Sequence, residues 1–251
     1  MRDIHDYEIK YQTEPCEEYQ VKYRRKKVLE LMRRSKPKNI LEIGCGLEPL
    51  FEHYDDFDKM IIVEPSPLFV ENAQNRAEEC PKDIICIQGF FEESIAEIKK
   101  TKVQFDYIVL SSLLHEVEEP KKLLESIGML CTTDTIVHVN VPNARSIHRL
   151  LAEKMQLISD IHELSELQKR MQRHSVFDID SLCRFVKKCG YEVIDKGSYF
   201  PKFLSAAQME QMLEKGIIED PFFEGMDKMI EYFPDLGSEI YVQMKLSCER
   251  E

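Results

Sequence analysis

The sequence has no Cys-x-x-Cys pair, no His-Glu-x-x-His segment and no apolar run near the ~20 residues that a bilayer-spanning helix needs. Its eight cysteines (Cys16, Cys45, Cys80, Cys86, Cys131, Cys183, Cys189 and Cys248) are scattered along 251 residues. Free buried thiols are therefore expected, not a disulfide framework. The seven histidines do not fall at zinc-ligand spacing, and no metal site is expected. The first residues, Met1-Arg2-Asp3-Ile4-His5-Asp6, lack the apolar stretch of a secretory signal, which makes the cytoplasm the expected compartment. Positive charge is in short supply: 34 Lys and Arg against 46 Asp and Glu leave a net −12. That is the wrong balance for a chain whose main partner is a phosphate backbone, so neither nucleic acid nor a membrane is expected as partner. The one basic run, Lys22 to Lys27 with Arg33, Arg34, Lys36 and Lys38 nearby, reads as a solvated helix face; the alternative is a local anchor for a phosphorylated substrate. Internal repeats, low-complexity tracts and linkers are also missing, so one domain over residues 1–251 is expected.

What is present is a series of short, nearly continuous apolar runs: Asn39–Ile43, Met60–Glu64, Ile84–Gln88, Phe105–Leu110 and Thr135–Asn140. Strands buried on both faces of a parallel sheet have this composition. Helical patterns lie between them; Ser66-Pro67 reads as an N-cap and first helical position leading into Leu68 to Glu79. Beyond Asn140, residues 143–173 read as two helices, Asp178 caps another, Tyr191–Ile194 reads as a strand, 205–233 as two helices and Glu239–Leu246 as a last strand. The expected fold is α/β: a Rossmann-like, doubly wound, seven-stranded, mostly parallel sheet with helical lid additions. Its core would run through about 36–140 and 178–247, with additions at 1–35, 143–175 and 203–237 over the sheet's carboxyl edge.

The turn after the first strand reads Glu42-Ile43-Gly44-Cys45-Gly46-Leu47-Glu48-Pro49, and Glu64 ends the next strand twenty residues after Gly44. Glycines let backbone approach a ligand, and a carboxylate at that strand end can accept both ribose hydroxyl protons. A nicotinamide dinucleotide and an adenosyl sulfonium both suit such a turn. A pyrophosphate, however, asks for a third glycine opening a helix. Pro49 occupies that position, and Glu48 beside it carries the wrong charge.

These segments resemble the motifs of class I S-adenosylmethionine-dependent methyltransferases over about residues 36–140. Leu41 to Gly46 is similar to their motif I and Val63-Glu64-Pro65-Ser66 to their ribose-binding strand end. Gln88-Gly89-Phe90-Phe91-Glu92 is similar to the adenine-side loop, and Phe105 to His115 to the fourth-strand motif. The resemblance implies S-adenosylmethionine as cofactor and S-adenosylhomocysteine as product. It implies that Gly44, Cys45 and Gly46 pass the methionine part, Glu42 orients its amino group, Glu64 with Pro65 holds the ribose, and Ser111 supplies backbone near the methionine end. The chain departs from the family after Gly89, where Phe90 replaces a frequent acid; adenine would then pack on Phe90 or Phe91.

For the acceptor, a hydroxyl needs a base, and histidine suits neutral pH. His115, after the fourth strand, is one candidate, with Glu116 to orient it; His148 is another. His138, Asn140, Asn143 and His148 gather after the fifth strand, whereas His162 and His174 read as surface residues. Val141 to Leu150, His162 to Leu167 and His174 to Asp178 resemble bacterial methyltransferases of surface-polysaccharide synthesis, which implies O-methylation of a sugar or nucleotide-linked sugar. Asn140, Asn143, Arg145, Arg149 and Arg173 would then bind the acceptor. N- or C-methylation of another metabolite, a non-catalytic adenosylmethionine-binding module and a dehydrogenase are the alternatives.

Overall fold

The computed structural model describes residues 17–164 and 173–247, together with Ile4, Glu8 and Lys169. Seven strands form one sheet: β1 (Asn39–Ile43), β2 (Lys59–Glu64), β3 (Asp83–Gln88), β4 (Tyr107–Ser111), β5 (Ile136–Pro142), β6 (Tyr191–Tyr199) and β7 (Glu239–Leu246). Their order is β3-β2-β1-β4-β5-β7-β6, parallel except for β7, which runs antiparallel to both its neighbours. The expected α/β, Rossmann-like, mostly parallel sheet is thus the observed one. The strand order reverses between β1 and β4, and open α/β sheets bind ligands at the carboxyl edge of such a switch point.

The helices are α1 (Glu17–Ser35), α2 (Pro67–Glu78), α3 (Phe91–Lys100), α4 (Pro120–Gly128), α5 (Ile147–Lys154), α6 (Ile179–Lys188), α7 (Ala206–Glu214) and α8 (Asp220–Lys228). Local chemistry sets several starts. Ser66 accepts the Phe69 N–H (3.1 Å) and Pro67 opens α2, as the sequence implies. Asp178 and Ser181 form a reciprocal capping box for α6, and Ser205 with Gln208 another for α7. Among the described residues no helix is long and apolar enough to cross a membrane.

Side-chain alternation divides the core. On one face Leu41, Ile43, Ile61, Val63, Ile108, Leu110, Val139 and Val242 pack against α3, α4 and α6. On the other, Ile40, Met60, Ile62, Tyr107 and Val109 pack against Val28, Leu29 and Met32 of α1 and Ala73 of α2. A third cluster joins Tyr23 and Leu31 of α1 to Tyr199, Phe200, Met209, Phe223 and Met226, which anchors α7 and α8 beside α1.

Two expectations change. β6 continues to Tyr199, beyond the expected Ile194, because it is an outer strand whose exposed polar side chains (Glu192, Lys196) hide its extended pattern; a register shift at Val193/Asp195 interrupts it as well. Of the two helices expected over 143–173, the described residues show α5, Ile147–Lys154, followed by turns through residue 164; the second falls largely outside the described residues. The basic run is largely the solvated face expected, with Lys22, Lys26, Arg33, Arg34 and Lys36 exposed, but Arg24 is buried and several of the charges are paired. Arg25 pairs with Glu48, Lys26 with Asp227 (2.6 Å), Lys27 with Glu30 (2.6 Å) and Arg34 with Glu30. The six described cysteines are free thiols.

Candidate functional site

The turn after β1 runs through left-handed backbone at Gly44 (φ +77°) and Gly46 (φ +58°). At Gly44 a side chain would have room, its Cβ lying 3.8 Å from Leu113 Cδ2; the backbone conformation is what demands glycine. Glu64 closes this turn from the end of β2. One carboxylate oxygen accepts the Cys45 N–H (3.1 Å) and the other the Ser66 N–H (2.9 Å). Ser66 also carries a hydroxyl bonded to Glu8. Glu42, on the neighbouring strand, is buried and accepts the Leu50 N–H (3.0 Å). Burial, with the nearby charge of Glu64 adding to it, pushes the Glu42 carboxyl up to about 8. Burial also drives the Cys45 thiol far above its usual range, which keeps it protonated. Pro49 offers no N–H, and the chain passes from it into a three-residue 3-10 turn, Leu50–Glu52, with no long helix facing the glycines. That geometry disfavours a pyrophosphate. The Glu48 argument weakens, since Arg25 neutralises that carboxylate.

On the adenine side, Gly89 donates its N–H to Glu64 O (3.0 Å), which ties the β3 loop to the end of β2. Phe91 is buried in the core with Ile95 and Ile98, so its ring serves packing. Phe90 stays half-buried at the N-cap of α3. Pro65 and Ser111 are half-buried at the ends of β2 and β4. Ser112 follows in a left-handed conformation (φ +59°) and donates to Asn140 O (3.1 Å), which joins the β4 and β5 edges.

His115, Glu116 and Arg173 come together beyond β4. His115 Nε2 lies 3.7 Å from Glu116 Oε1, and Arg173 Nε 3.8 Å from the same oxygen. His115 is only 1% exposed, and its carbonyl accepts the N–H groups of His174 (2.9 Å) and Ser175 (3.1 Å). Ala144 N donates to Phe177 O (2.8 Å), so the 173–177 stretch is held by both the β4 and β5 turns.

The other expected acceptor ligands are engaged elsewhere. Asn143 gives its amide hydrogens to Asp235 O (3.1 Å) and Gly237 O (2.8 Å) and accepts from Arg145 N (2.9 Å), which clamps the turn before β7. Arg149 donates to Ile161 O (2.7 Å from Nη2, 3.0 Å from Nε) and Glu163 O (2.7 Å), fixing the turns after α5. Arg145 is exposed. His162 is also exposed and pairs with Asp178 (2.9 Å). His148 remains at the edge itself: it is half-buried, its Nδ1 has no hydrogen-bond partner, and burial with Lys202 and Arg149 nearby holds it well below the usual histidine range.

Sequence reasoning missed the buried network beneath this edge. Arg24 of α1 reaches Glu239 at the start of β7 with Nε at 3.0 and 3.1 Å from its two oxygens. Tyr199 Oη (2.6 Å) and Asn140 Nδ2 (3.1 Å) donate to the same carboxylate. The Arg24 guanidinium and these donors hold Glu239 ionised, with its pKa below the usual carboxylate value despite burial. Asn140 Oδ1 meets His138 Nε2 (3.2 Å), and burial lowers His138 to about 4, so this imidazole is neutral. Asn140 is thus a member of a structural network, which its even spacing from His138 on β5 was the one signal for.

The model of a family described as a methyltransferase domain matches residues 17–196. No characterised protein matches the chain by sequence. Among solved structures, the N-methyltransferase NodS from Bradyrhizobium japonicum WM9, in complex with S-adenosyl-L-homocysteine, superposes with TM-score 0.54 at 11% identity, over 90% of this chain and 86% of that one. An S-adenosylmethionine-dependent methyltransferase from Clostridium acetobutylicum gives 0.52 at 10% identity, over 88% and 89%. The [4+2]-cyclase SpnF gives 0.55 at 13%, over 88% and 81%. At such identities the likeness speaks for the fold alone, and similar structures include O- and C-methyltransferases as well. With the glycine turn, the two strand-end carboxylates and a family match over most of its length, the chain belongs to the methyltransferase-domain family and has the fold of the S-adenosylmethionine-dependent enzymes.

Proposed function

We propose that the chain transfers a methyl group from S-adenosylmethionine to a hydroxyl of a small polar acceptor, of the sugar or nucleotide-linked sugar kind. The residues present suit the cofactor. Left-handed Gly44 and Gly46 leave backbone accessible beside Glu64, whose carboxylate is the chemistry two ribose hydroxyls require. Glu42 supplies a second buried carboxylate for an ammonium group. When bound, the cofactor supplies a methyl carbon activated by an adjacent positive sulfur.

The chain's own task is then to bind the acceptor, exclude water and take one proton. His148 carries this reading. It is neutral, it lies in the first turn of α5 after β5, and its Nδ1 is buried without a partner, a lone pair on offer when the proton is on Nε2. A hydroxyl that donates to Nδ1 would satisfy that atom and leave its proton there as the oxygen–methyl bond forms. His115, beside Glu116 and Arg173, is more deeply buried and suits positioning better than proton transfer.

The test is homocysteine-product release against a panel of free, phosphorylated and nucleotide-linked sugars, with the methylated atom located by NMR. His148→Ala should lose about 10²–10⁴-fold in turnover and keep its affinity for S-adenosylhomocysteine. Unchanged turnover in that variant would remove His148 as base. Methyl transfer confined to nitrogen or carbon acceptors would refute hydroxyl chemistry.

A further inference from the structure

Three stretches meet at the acceptor end of the sheet. Asn143 N donates to Ser238 O (2.9 Å) and Ile147 N to Leu236 O (3.3 Å), which lays the start of α5 on the turn before β7. Ser238 N donates to Phe200 O (2.9 Å), and Gly237 lies so close to Tyr199 that a Cβ would stand 2.3 Å from its carbonyl oxygen. The same turn therefore lies on the end of β6.

Three buried polar atoms in this corner have no hydrogen-bond partner, and a buried, bonded lysine lies beside them. Ser146 is fully buried at the N-cap of α5, yet its hydroxyl makes no capping bond and no other hydrogen bond. The hydroxyl of Ser238 (4% exposed) is likewise buried and unpaired, as is His148 Nδ1. Lys202 is 5% exposed and donates to Gln20 Oε1 of α1 (2.9 Å). Two residues before it, the bulky, buried Phe200 holds φ +54°, a left-handed conformation disfavoured for a side chain of that size.

An unpaired buried hydroxyl is costly, and two in one corner need a reason. Hydroxyls and an ammonium are donors that a tetrahedral oxyanion uses. We propose that this corner is an anion subsite, and that the acceptor carries a phosphate group that seats on Lys202, Ser146 and Ser238 beside His148. This deepens, and rests on, the acceptor reading above. The subsite also acts on the base. Burial first, and then the charges of Lys202 and Arg149, suppress protonation of His148. A phosphate there offsets the two charges and raises the proton affinity of the imidazole.

Inorganic phosphate is the probe. The full chain, saturated with S-adenosylhomocysteine, is followed by ¹H–¹³C NMR of histidine Cε1–H at constant ionic strength, with His148 assigned through His148→Gln. Phosphate should shift that resonance saturably and raise its titration midpoint. Lys202→Met should weaken phosphate at least about tenfold. Ser146→Ala and Ser238→Ala should each weaken it several-fold with Tm unchanged or raised, because removing an unpaired buried hydroxyl relieves its cost. These serine variants decide the matter even where Lys202→Met fails to fold. No saturable effect on His148, equal phosphate affinity in both serine variants, or a clear loss of Tm in them would overturn the proposal. Failure of S-adenosylhomocysteine to bind would overturn the reading on which it rests, whereas failure of phosphate alone removes only the subsite.

Discussion

Arg24→Met tests whether α1 is held over the sheet by a desolvated ion pair. Arg24 is 8% exposed and Glu239 3%. Removing one partner of a buried pair typically costs about 3–5 kcal/mol, against about 0–1 for a surface pair. Part of that cost depends on pH, and its sign is fixed by what surrounds Glu239. In the wild type the guanidinium and the donors Tyr199 and Asn140 hold the folded pKa below the unfolded value near 4.3. That contribution is present above about pH 4.3 and is lost as pH falls through the folded pKa. In the variant the cation is gone and burial, the largest influence on Glu239, raises the carboxyl instead. The penalty is then full above the raised pKa and shrinks as pH falls toward the unfolded value, by up to about 1.4 kcal/mol per unit. Urea unfolding of both proteins at pH 5, 6, 7 and 8 should show the largest difference at pH 8 and the smallest at pH 5. A difference below about 1 kcal/mol at pH 7.5, or one independent of pH, would refute the argument.

Three further perturbations address the cofactor side. Glu42, raised to about 8, is mostly protonated in the free chain at pH 7. Binding an ammonium beside it should expel that proton, so calorimetry of S-adenosylhomocysteine in buffers of different ionisation heat should show proton release that Glu42→Gln abolishes. Glu64→Gln should weaken S-adenosylhomocysteine roughly ten- to a hundredfold in the same titration, from the loss of charge-assisted bonds to two hydroxyls. Gly44→Ala should lower stability by about 1–2 kcal/mol in urea unfolding through backbone strain alone, since space for the methyl exists; a neutral result would mean the turn readily abandons φ +77°.

The parallel half of the sheet was legible because β1, β2, β4 and β5 are buried on both faces and leave near-continuous apolar runs. The glycine turn was legible for a related reason: Gly44, Gly46 and Glu64 are set by backbone freedom and a strand end, both local features of sequence. The acceptor side was not. Asn143 and Arg149 have the composition of ligands, but their hydrogen bonds go to carbonyls of the chain, and composition does not reveal which partner a donor finds. The Arg24–Glu239 pair joins residues 215 positions apart. A glutamate opening a strand ordinarily faces water, so neither end of the pair signals the other. Lys202 and the two serines escaped notice for the same reason: their meeting depends on how β5, β6 and β7 end at one edge.

Arg24 and Arg25 are adjacent in sequence, yet they grip different parts of the molecule. Arg24 holds the start of β7, and Arg25 holds Glu48 in the turn after β1. Two neighbouring side chains of one helix therefore tie the turn after β1 to the start of β7, two places that no strand pairing joins directly.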